Sequence, residues 1–290
     1  MPEISQNLRG KTALVTGASS GIGKVTASAL ATMGATVYLV CRNRAKGGQV
    51  QQEIKELAGH DRVFLIVADL AEQAQVRRAA QEFLDTGEPL HILHNNAGIT
   101  NTARRETVDG IEETFAVNHL AYFLLTNLLL DRLKESAPAR IVNVASDAHY
   151  FVRGMQFDDL EYENQYKTFK VYGQSKLANL LFALALAPKL VGTDVTVNSV
   201  HPGVVTTGLG MQNGGFLSKI VPVIGGLLFR SPEKGAESSI YVCTSPALND
   251  VSGKYYANCR QKTPKPWARD VEAAEKLWKI SEQMTAASHH

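Results

Sequence analysis

The chain has 290 residues, 44% of them apolar and 20% charged, with a formal net charge of +2. That length suits one sizeable core, and the scattered Lys and Arg form no basic run of the kind that grips nucleic acid, so no nucleic-acid partner is expected. The three cysteines, Cys41, Cys243 and Cys259, lack both disulfide-frame and metal-ligand spacing, which points to a reducing compartment and to no metal.

Residues 1–8 are short and polar, without an apolar signal region. The longest lipophilic stretches, 120–130 and 216–229, fall short of the ~20 residues a spanning helix needs. No membrane span and a cytoplasmic location are therefore expected. His289 and His290 are set aside as a candidate tag remnant, leaving 1–288 as a single domain.

Residues 12–16 are apolar and β-branched and read as a buried strand. They run into Gly17-Ala18-Ser19-Ser20-Gly21-Ile22-Gly23, then a helical pattern with Val25, Ala29, Leu30 and Met33, then a second strand over 36–41. This is the strand, Gly-rich turn, helix and strand of a dinucleotide-binding unit. Glycines allow a pyrophosphate to approach, and the helix N-terminus offers N–H groups and partial positive charge. Ser19 and Ser20 add hydroxyl donors.

The end of the second strand selects the cofactor. A carboxylate there accepts hydrogen bonds from ribose hydroxyls and favours NAD. This chain has Cys41-Arg42-Asn43-Arg44 instead. Arg42 suits a 2′-phosphate through its planar fork, and Lys24 is a candidate second charge, so NADP(H) is expected over NAD(H).

A strand at 63–68 ends at Asp69-Leu70, where Asp69 either caps the next helix or touches the adenine end of a cofactor. A polar helix at 72–84 leads to a strand at 90–94 that ends in Asn95-Asn96-Ala97-Gly98. Residues 112–135 read as one long helix carrying Asn118, a polar group that needs a partner. A strand at 140–145 ends at Ser146, and 149–165 is irregular, aromatic and acidic.

Tyr172-Gly173-Gln174-Ser175-Lys176 opens the next helix. Residues four apart share a helix face, so phenol and ammonium project side by side. A nearby ammonium favours the phenolate and is expected to lower the tyrosine's pKa from its usual ~10. A strand at 194–200 ends at His201-Pro202-Gly203. Residues 204–230 are Gly-rich and lipophilic and suit a substrate loop. Ser231-Pro232-Glu233 reads as a helix start, a last strand lies near 254–257, and a polar helix closes the chain. The alternation predicts one doubly wound α/β domain, a mostly parallel sheet of about seven strands with helices on both faces.

Thr16-Gly17-x-x-x-Gly21-x-Gly23, Asn95-Asn96-Ala97-Gly98, Asn118, Ser146, Tyr172-x-x-x-Lys176 and Pro202-Gly203, in that order, resemble the short-chain dehydrogenase/reductase family over nearly the whole chain. Cys41-Arg42-Asn43, residues 115–120, Phe157-Asp158-Asp159-Leu160 and residues 172–179 are similar, more narrowly, to its retinol-dehydrogenase-like branch. Membrane-bound members of that branch carry an apolar N-terminal anchor, which this sequence does not show.

The resemblance implies a Rossmann domain and a catalytic set of Asn118, Ser146, Tyr172 and Lys176. Tyr172 would be general acid or base, Ser146 a donor to the carbonyl oxygen, Lys176 the partner of phenol and nicotinamide ribose, and Asn118 the support of a relay water. Cofactor contacts are expected from Gly17, Ser19, Ser20, Gly21, Ile22 and Gly23, and from Arg42, Asp69 and Leu70. Asn96, Ala97, Gly98, Tyr172, Lys176, Pro202, Gly203, Val205 and Thr207 complete that set. His149, Phe151, Leu209 and Met211 are candidate contacts to a lipophilic carbonyl or alcohol, although His149, like His201, reads more readily as structural. An NAD-dependent enzyme of the same fold and a non-catalytic dinucleotide-binding regulator are the alternatives. The family often forms dimers or tetramers through the helices holding Asn118 and Tyr172, so a homodimer or homotetramer is a candidate assembly.

Overall fold

A computed structural model describes residues 3–5, 7–203 and 230–286. Its strands are β1 (Thr12–Thr16), β2 (Thr36–Cys41), β3 (Val63–Val67), β4 (Ile92–Asn95), β5 (Ala139–Val144), β6 (Val195–His201), β7 (Tyr255–Ala257) and β8 (Arg260–Gln261). They form one sheet in the order β3-β2-β1-β4-β5-β6-β7-β8. The first seven run parallel and β8 turns back against β7. The sheet thus has eight strands where about seven were expected. The eighth is two residues long, too short for any alternation to register.

Every residue of β1 is buried, and β2, β5 and β6 are nearly so. Strands covered on both faces lose the alternation of a half-exposed sheet and become continuous apolar runs. One face carries α1 (Gly21–Thr32), α2 (Arg44–Ala58) and α7 (Pro232–Thr244). The other carries α3 (Gln73–Leu84), α5 (Ala121–Glu135) and α6 (Thr168–Lys189). Strand order reverses between β1 and β4, so their carboxyl ends diverge and open a crevice.

Residues 112–135 are not one regular helix. A single turn, α4 (Glu113–Phe115), passes into a π turn (Ala116–Leu120) that contains Asn118, and only then into α5. The last helix, α8 (Val271–Thr285), lies across α5 and α6. Trp278 meets Phe123 at 4.9 Å and Phe182 at 5.9 Å between ring centroids. His119 Nε2 lies 2.9 Å from Ser281 Oγ. The helices expected to receive a second subunit are thus in contact with the chain's own C-terminal helix. Leu277 is 1% exposed in this packing. Leu277→Ala is expected to cost about 2–5 kcal/mol in urea unfolding.

His94 in β4, His119 in the π turn and His201 in β6 are held neutral. Burial pushes their pKa values down to about 3, about 3 and about 4. Among the described residues neither ring nitrogen of His94 has a hydrogen-bond partner. Between pH 6.5 and 4 the unfolded chain binds protons at these sites and the folded one does not. Stability therefore falls as pH falls through that window, by about 1.4 kcal/mol per pH unit for each histidine. The urea midpoint is expected to drop clearly between pH 7.5 and pH 5, and an unchanged midpoint would refute this reading. No helix of the described residues is long and apolar enough to cross a membrane.

Candidate active site

β1 delivers Thr16 and Gly17 to the crevice. Gly17 has φ +65, and its N–H donates to Val40 O at 2.8 Å. A Cβ on Gly17 would lie 2.8 Å from Ala97 Cα, and one on Gly23 would strike Asn96 Nδ2 and lie 2.5 Å from Gly17 O. The glycines are needed because the chain after β4 packs directly on the turn. Thr16 makes that packing specific: its hydroxyl accepts from Asn96 N at 2.8 Å and Ala97 N at 3.0 Å. Asn96 Nδ2 donates to Thr16 O at 2.8 Å. The Asn96 side chain thus fastens β4 to the glycine turn.

A cavity of about 580 Å³ follows this crevice. Ser19, Ser20, Gly21 and Ile22 line it at the N-terminus of α1, where Ser20 makes no side-chain cap. Gly23 lies behind that wall. Arg42, Asp69 and Leu70 line the far end, with Ala97, Gly98, Tyr172, Lys176 and Pro202 toward the other. Asp69 also accepts from Ala71 N at 3.0 Å, just ahead of α3. Gly203 packs against Arg230. Val205, Thr207, Leu209 and Met211 lie outside the described residues.

Lys24, the expected second charge, is instead ion-paired with Glu53 of α2 and is absent from the cavity wall. Lys46, from the first turn of α2, lines the cavity with Arg42 and Asn43. The Asn43 side chain caps α2 by accepting from Lys46 N at 2.9 Å. A polar helix start one turn past Arg42 was the available signal for Lys46.

Tyr172 and Lys176 sit on α6, with Tyr172 partly exposed and Lys176 buried. Lys176 Nζ donates to Val144 O at 2.9 Å and lies 5.7 Å from the Tyr172 ring centroid. Ser146, at the end of β5, accepts from Ala148 N at 3.1 Å, and its hydroxyl is near enough to the Tyr172 phenol to favour the phenolate as a donor. Asn118 projects from the π turn. Its Oδ1 accepts from Ile99 N at 2.8 Å, and its Nδ2 donates to Ile99 O and Ser175 Oγ, both at 2.9 Å. A Cβ on Gly98 would lie 3.4 Å from Asn118 Oδ1 and 3.5 Å from Lys176 Nζ, so a glycine keeps the space before the ammonium open.

The phenol's pKa differs from the sequence expectation. Burial pushes Tyr172 up to about 12, against a lowering by the Ser146 hydrogen bond. Burial likewise pushes Lys176 down to about 7. Spacing places the two groups together, but the ammonium leans on the ring and bonds Val144 O while desolvation acts on both.

His149 is fully buried, away from the cavity wall, with Nδ1 donating to Ser146 O at 2.6 Å. Phe151 is 53% exposed and borders a separate concavity with Arg153 and Lys170. Neither stands beside Tyr172 in the cleft. Ile99 and Val144, unmarked in the sequence, line the cavity, and buried Tyr122 lies behind it, donating to Ala97 O at 2.7 Å with its ring centroid 5.9 Å from Lys176 Nζ.

A short chain dehydrogenase family profile matches residues 11–215. The chain belongs to the short-chain dehydrogenase/reductase family. Human retinol dehydrogenase 14 is 42% identical over 292 residues, covering 96% of this chain and 87% of that protein, which places the chain in the retinol-dehydrogenase-like branch. A solved structure of an uncharacterised protein from Mycobacterium paratuberculosis superposes with a TM-score of 0.78 at 31% identity, covering 96% of this chain and 94% of that one. A short chain dehydrogenase from Burkholderia cenocepacia J2315, solved in complex with NADP, superposes with a TM-score of 0.69 at 28% identity over 87% and 97% of the two chains. As a short-chain dehydrogenase/reductase, this chain is an oxidoreductase of the class acting on CH–OH groups.

Proposed function

We propose that the chain is an NADP(H)-dependent oxidoreductase that interconverts a lipophilic carbonyl compound and its alcohol, with Tyr172 as general acid or base. The observation that carries this reading is the pairing of Tyr172 with the buried Lys176 at one end of a cavity that begins at the Gly17 turn, with the Ser146 hydroxyl near the phenol behind that wall. The dinucleotide would lie along that cavity, which runs from Ser19, Ser20 and Gly21 at the N-terminus of α1 to Tyr172 and Lys176. It would be held by the α1 N-terminus at its phosphates, by Arg42 and Lys46 at a 2′-phosphate, and by Lys176 at the nicotinamide ribose. When bound, it supplies the hydride.

The protein's own groups then handle charge and proton. Ser146 already accepts from Ala148 N, which leaves its hydroxyl proton free to donate to a carbonyl oxygen as negative charge develops there. Tyr172, with its pKa near 12, is protonated and ready to give its phenolic proton to that oxygen. In alcohol oxidation it takes the proton back. Asn118 holds the backbone of Ile99 beside the site. Ile99, Val117, Val144 and Ala145 give the surrounding wall an apolar character that suits a lipophilic substrate.

NADPH and NADH consumption with a panel of lipophilic aldehydes and ketones tests the reading. Oxidation of NADPH is expected. Cofactor binding without turnover across the panel would favour the non-catalytic regulator. Charge-assisted contacts are worth about 1.5–3 kcal/mol, so Arg42→Ala and Lys46→Ala are each expected to raise the KM for NADPH about tenfold or more. The KM for NADH should stay unchanged, and equal loss for both cofactors would remove the 2′-phosphate assignment.

A further inference from the structure

The residue after Ser146 is a carboxylate, and its surroundings are more elaborate than a turn requires. Asp147 Oδ1 accepts from Tyr255 OH at 3.0 Å and from Lys262 Nζ at 2.9 Å. Its Oδ2 accepts from Lys262 Nζ at 2.7 Å and lies 3.3 Å from His201 Nε2. His201 also reaches the same residue's backbone: Asp147 N donates to His201 Nδ1 at 3.2 Å. A ring nitrogen that accepts carries no proton, so the proton of neutral His201 is on Nε2 and points at the Asp147 carboxylate. One imidazole thus grips Asp147 by main chain and side chain together.

The peptide units around Ser146 are held on both sides. His149 Nδ1 bonds Ser146 O at 2.6 Å, and His149 O accepts from Trp267 Nε1 at 3.0 Å. The holding groups come from β6, β7 and the segment after β8, far from Ser146 in sequence. None of Asp147, His201, Tyr255 and Lys262 lines the cofactor cavity.

We propose that Asp147 is a positioning residue for the proposed catalytic Ser146, fixing the serine's peptide through the clamp formed by His201, Tyr255 and Lys262. This rests on the functional reading above, in which Ser146 donates to the reacting oxygen. The clamp needs His201 neutral and Asp147 ionised, and the surroundings provide both. Burial pushes His201 down to about 4. Burial acts to raise Asp147, but the bonds from Lys262, His201 and Tyr255 outweigh it and hold the carboxyl below its usual range. The other charged or titratable groups facing the cluster are His149, Tyr150, Tyr172, Arg230 and Lys265.

The donor count makes the proposal testable with a near-isosteric change. Three donors converge on the carboxylate: Tyr255 O–H, the Lys262 ammonium and His201 Nε2–H. An asparagine offers one oxygen and one NH2 group. If the NH2 faces His201, donor meets donor. If His201 then moves its proton to Nδ1, that proton meets Asp147 N–H instead. If the NH2 faces Lys262, it meets an ammonium. Either placement removes the charge that holds Lys262, and an NH2 toward His201 also breaks the grip on the peptide that carries Ser146.

Asp147→Asn is therefore expected to lower kcat about tenfold with the KM for NADPH unchanged, and to raise the kinetic isotope effect from deuterated NADPH as hydride transfer becomes more rate-limiting. The deciding measurement is a double-mutant cycle with Ser146→Ala. A residue that acts through Ser146 has nothing left to position once the hydroxyl is gone, so Asp147→Asn in the Ser146→Ala background should cost nothing further. Equal losses in both backgrounds, or a wild-type kcat for Asp147→Asn, would overturn the proposal. If Asp147→Asn does not fold, Lys262→Met takes its place in the cycle, because Lys262 is 37% exposed and its loss leaves the His201 grip intact. A roughly threefold loss confined to the Ser146 background is expected there. Failure of the underlying reading looks different: Ser146→Ala itself would then turn over at the wild-type rate.

Discussion

Tyr172→Phe is expected to abolish turnover while leaving NADPH binding in place. The substitution removes one oxygen from a side chain of α6 that is partly exposed in the cavity, and it keeps the ring against which Lys176 Nζ rests at 5.7 Å. The glycine turn, Arg42 and Lys46 are untouched. What disappears is the proposed proton donor to the substrate oxygen. General acid–base catalysis is typically worth ~10²–10⁴ in rate, so kcat should fall by at least that lower figure. Fluorescence titration with NADPH should give a dissociation constant within about twofold of wild type, because the cofactor's main anchors lie elsewhere. Thermal unfolding should shift little, since the ring and its packing on α6 are kept. A variant that turns over near the wild-type rate would sink the assignment of Tyr172. One that also loses NADPH binding would mean the phenol has a structural role in the cleft.

The parts of this architecture legible in the sequence are those whose signal is local. β1, β2, β5 and β6 stand out because strands covered on both faces become unbroken apolar runs. The Gly17 turn stands out because close packing against Ala97 and Asn96 leaves no room for a Cβ. What was not legible depends on partners distant along the chain. α2 buries only Gly47, Val50 and Ile54 of its fifteen residues, too sparse a stripe to mark a helix. The π turn at Asn118 has no sequence signature, and the contact that accompanies it, Asn118 with Ile99, is long-range. Lys24 and Lys46 look alike as cations near the dinucleotide. Only the fold shows that Glu53 has claimed the first. The spacing of Tyr172 and Lys176 fixes their proximity but says nothing of how dry their surroundings are, and that dryness governs both pKa values.

Lys176 provides the second large effect. In the unliganded protein burial holds its pKa at about 7, against 10.5 for an ordinary lysine. At pH 8 most molecules therefore carry it neutral. If the ammonium is the form that binds the nicotinamide ribose hydroxyls, the cofactor selects the protonated lysine and raises its pKa. The sign follows from linkage: a ligand that prefers the protonated protein binds more weakly as pH rises above the free pKa. The dissociation constant for NADPH is thus expected to be lowest near pH 7 and to rise about tenfold per pH unit between pH 8 and pH 9. Titration calorimetry at pH 8 in buffers of different ionisation enthalpy should report uptake of close to one proton per NADPH. The 2′-phosphate, with a second pKa near ~6, is fully ionised at that pH and adds nothing. Lys176→Met should lose the uptake and the pH dependence together, and its affinity should lie below that of wild type at pH 7. Flat affinity from pH 7 to pH 9 with no proton uptake would mean that Lys176 does not serve the cofactor as a cation. The phenol would then have to work without a charge beside it.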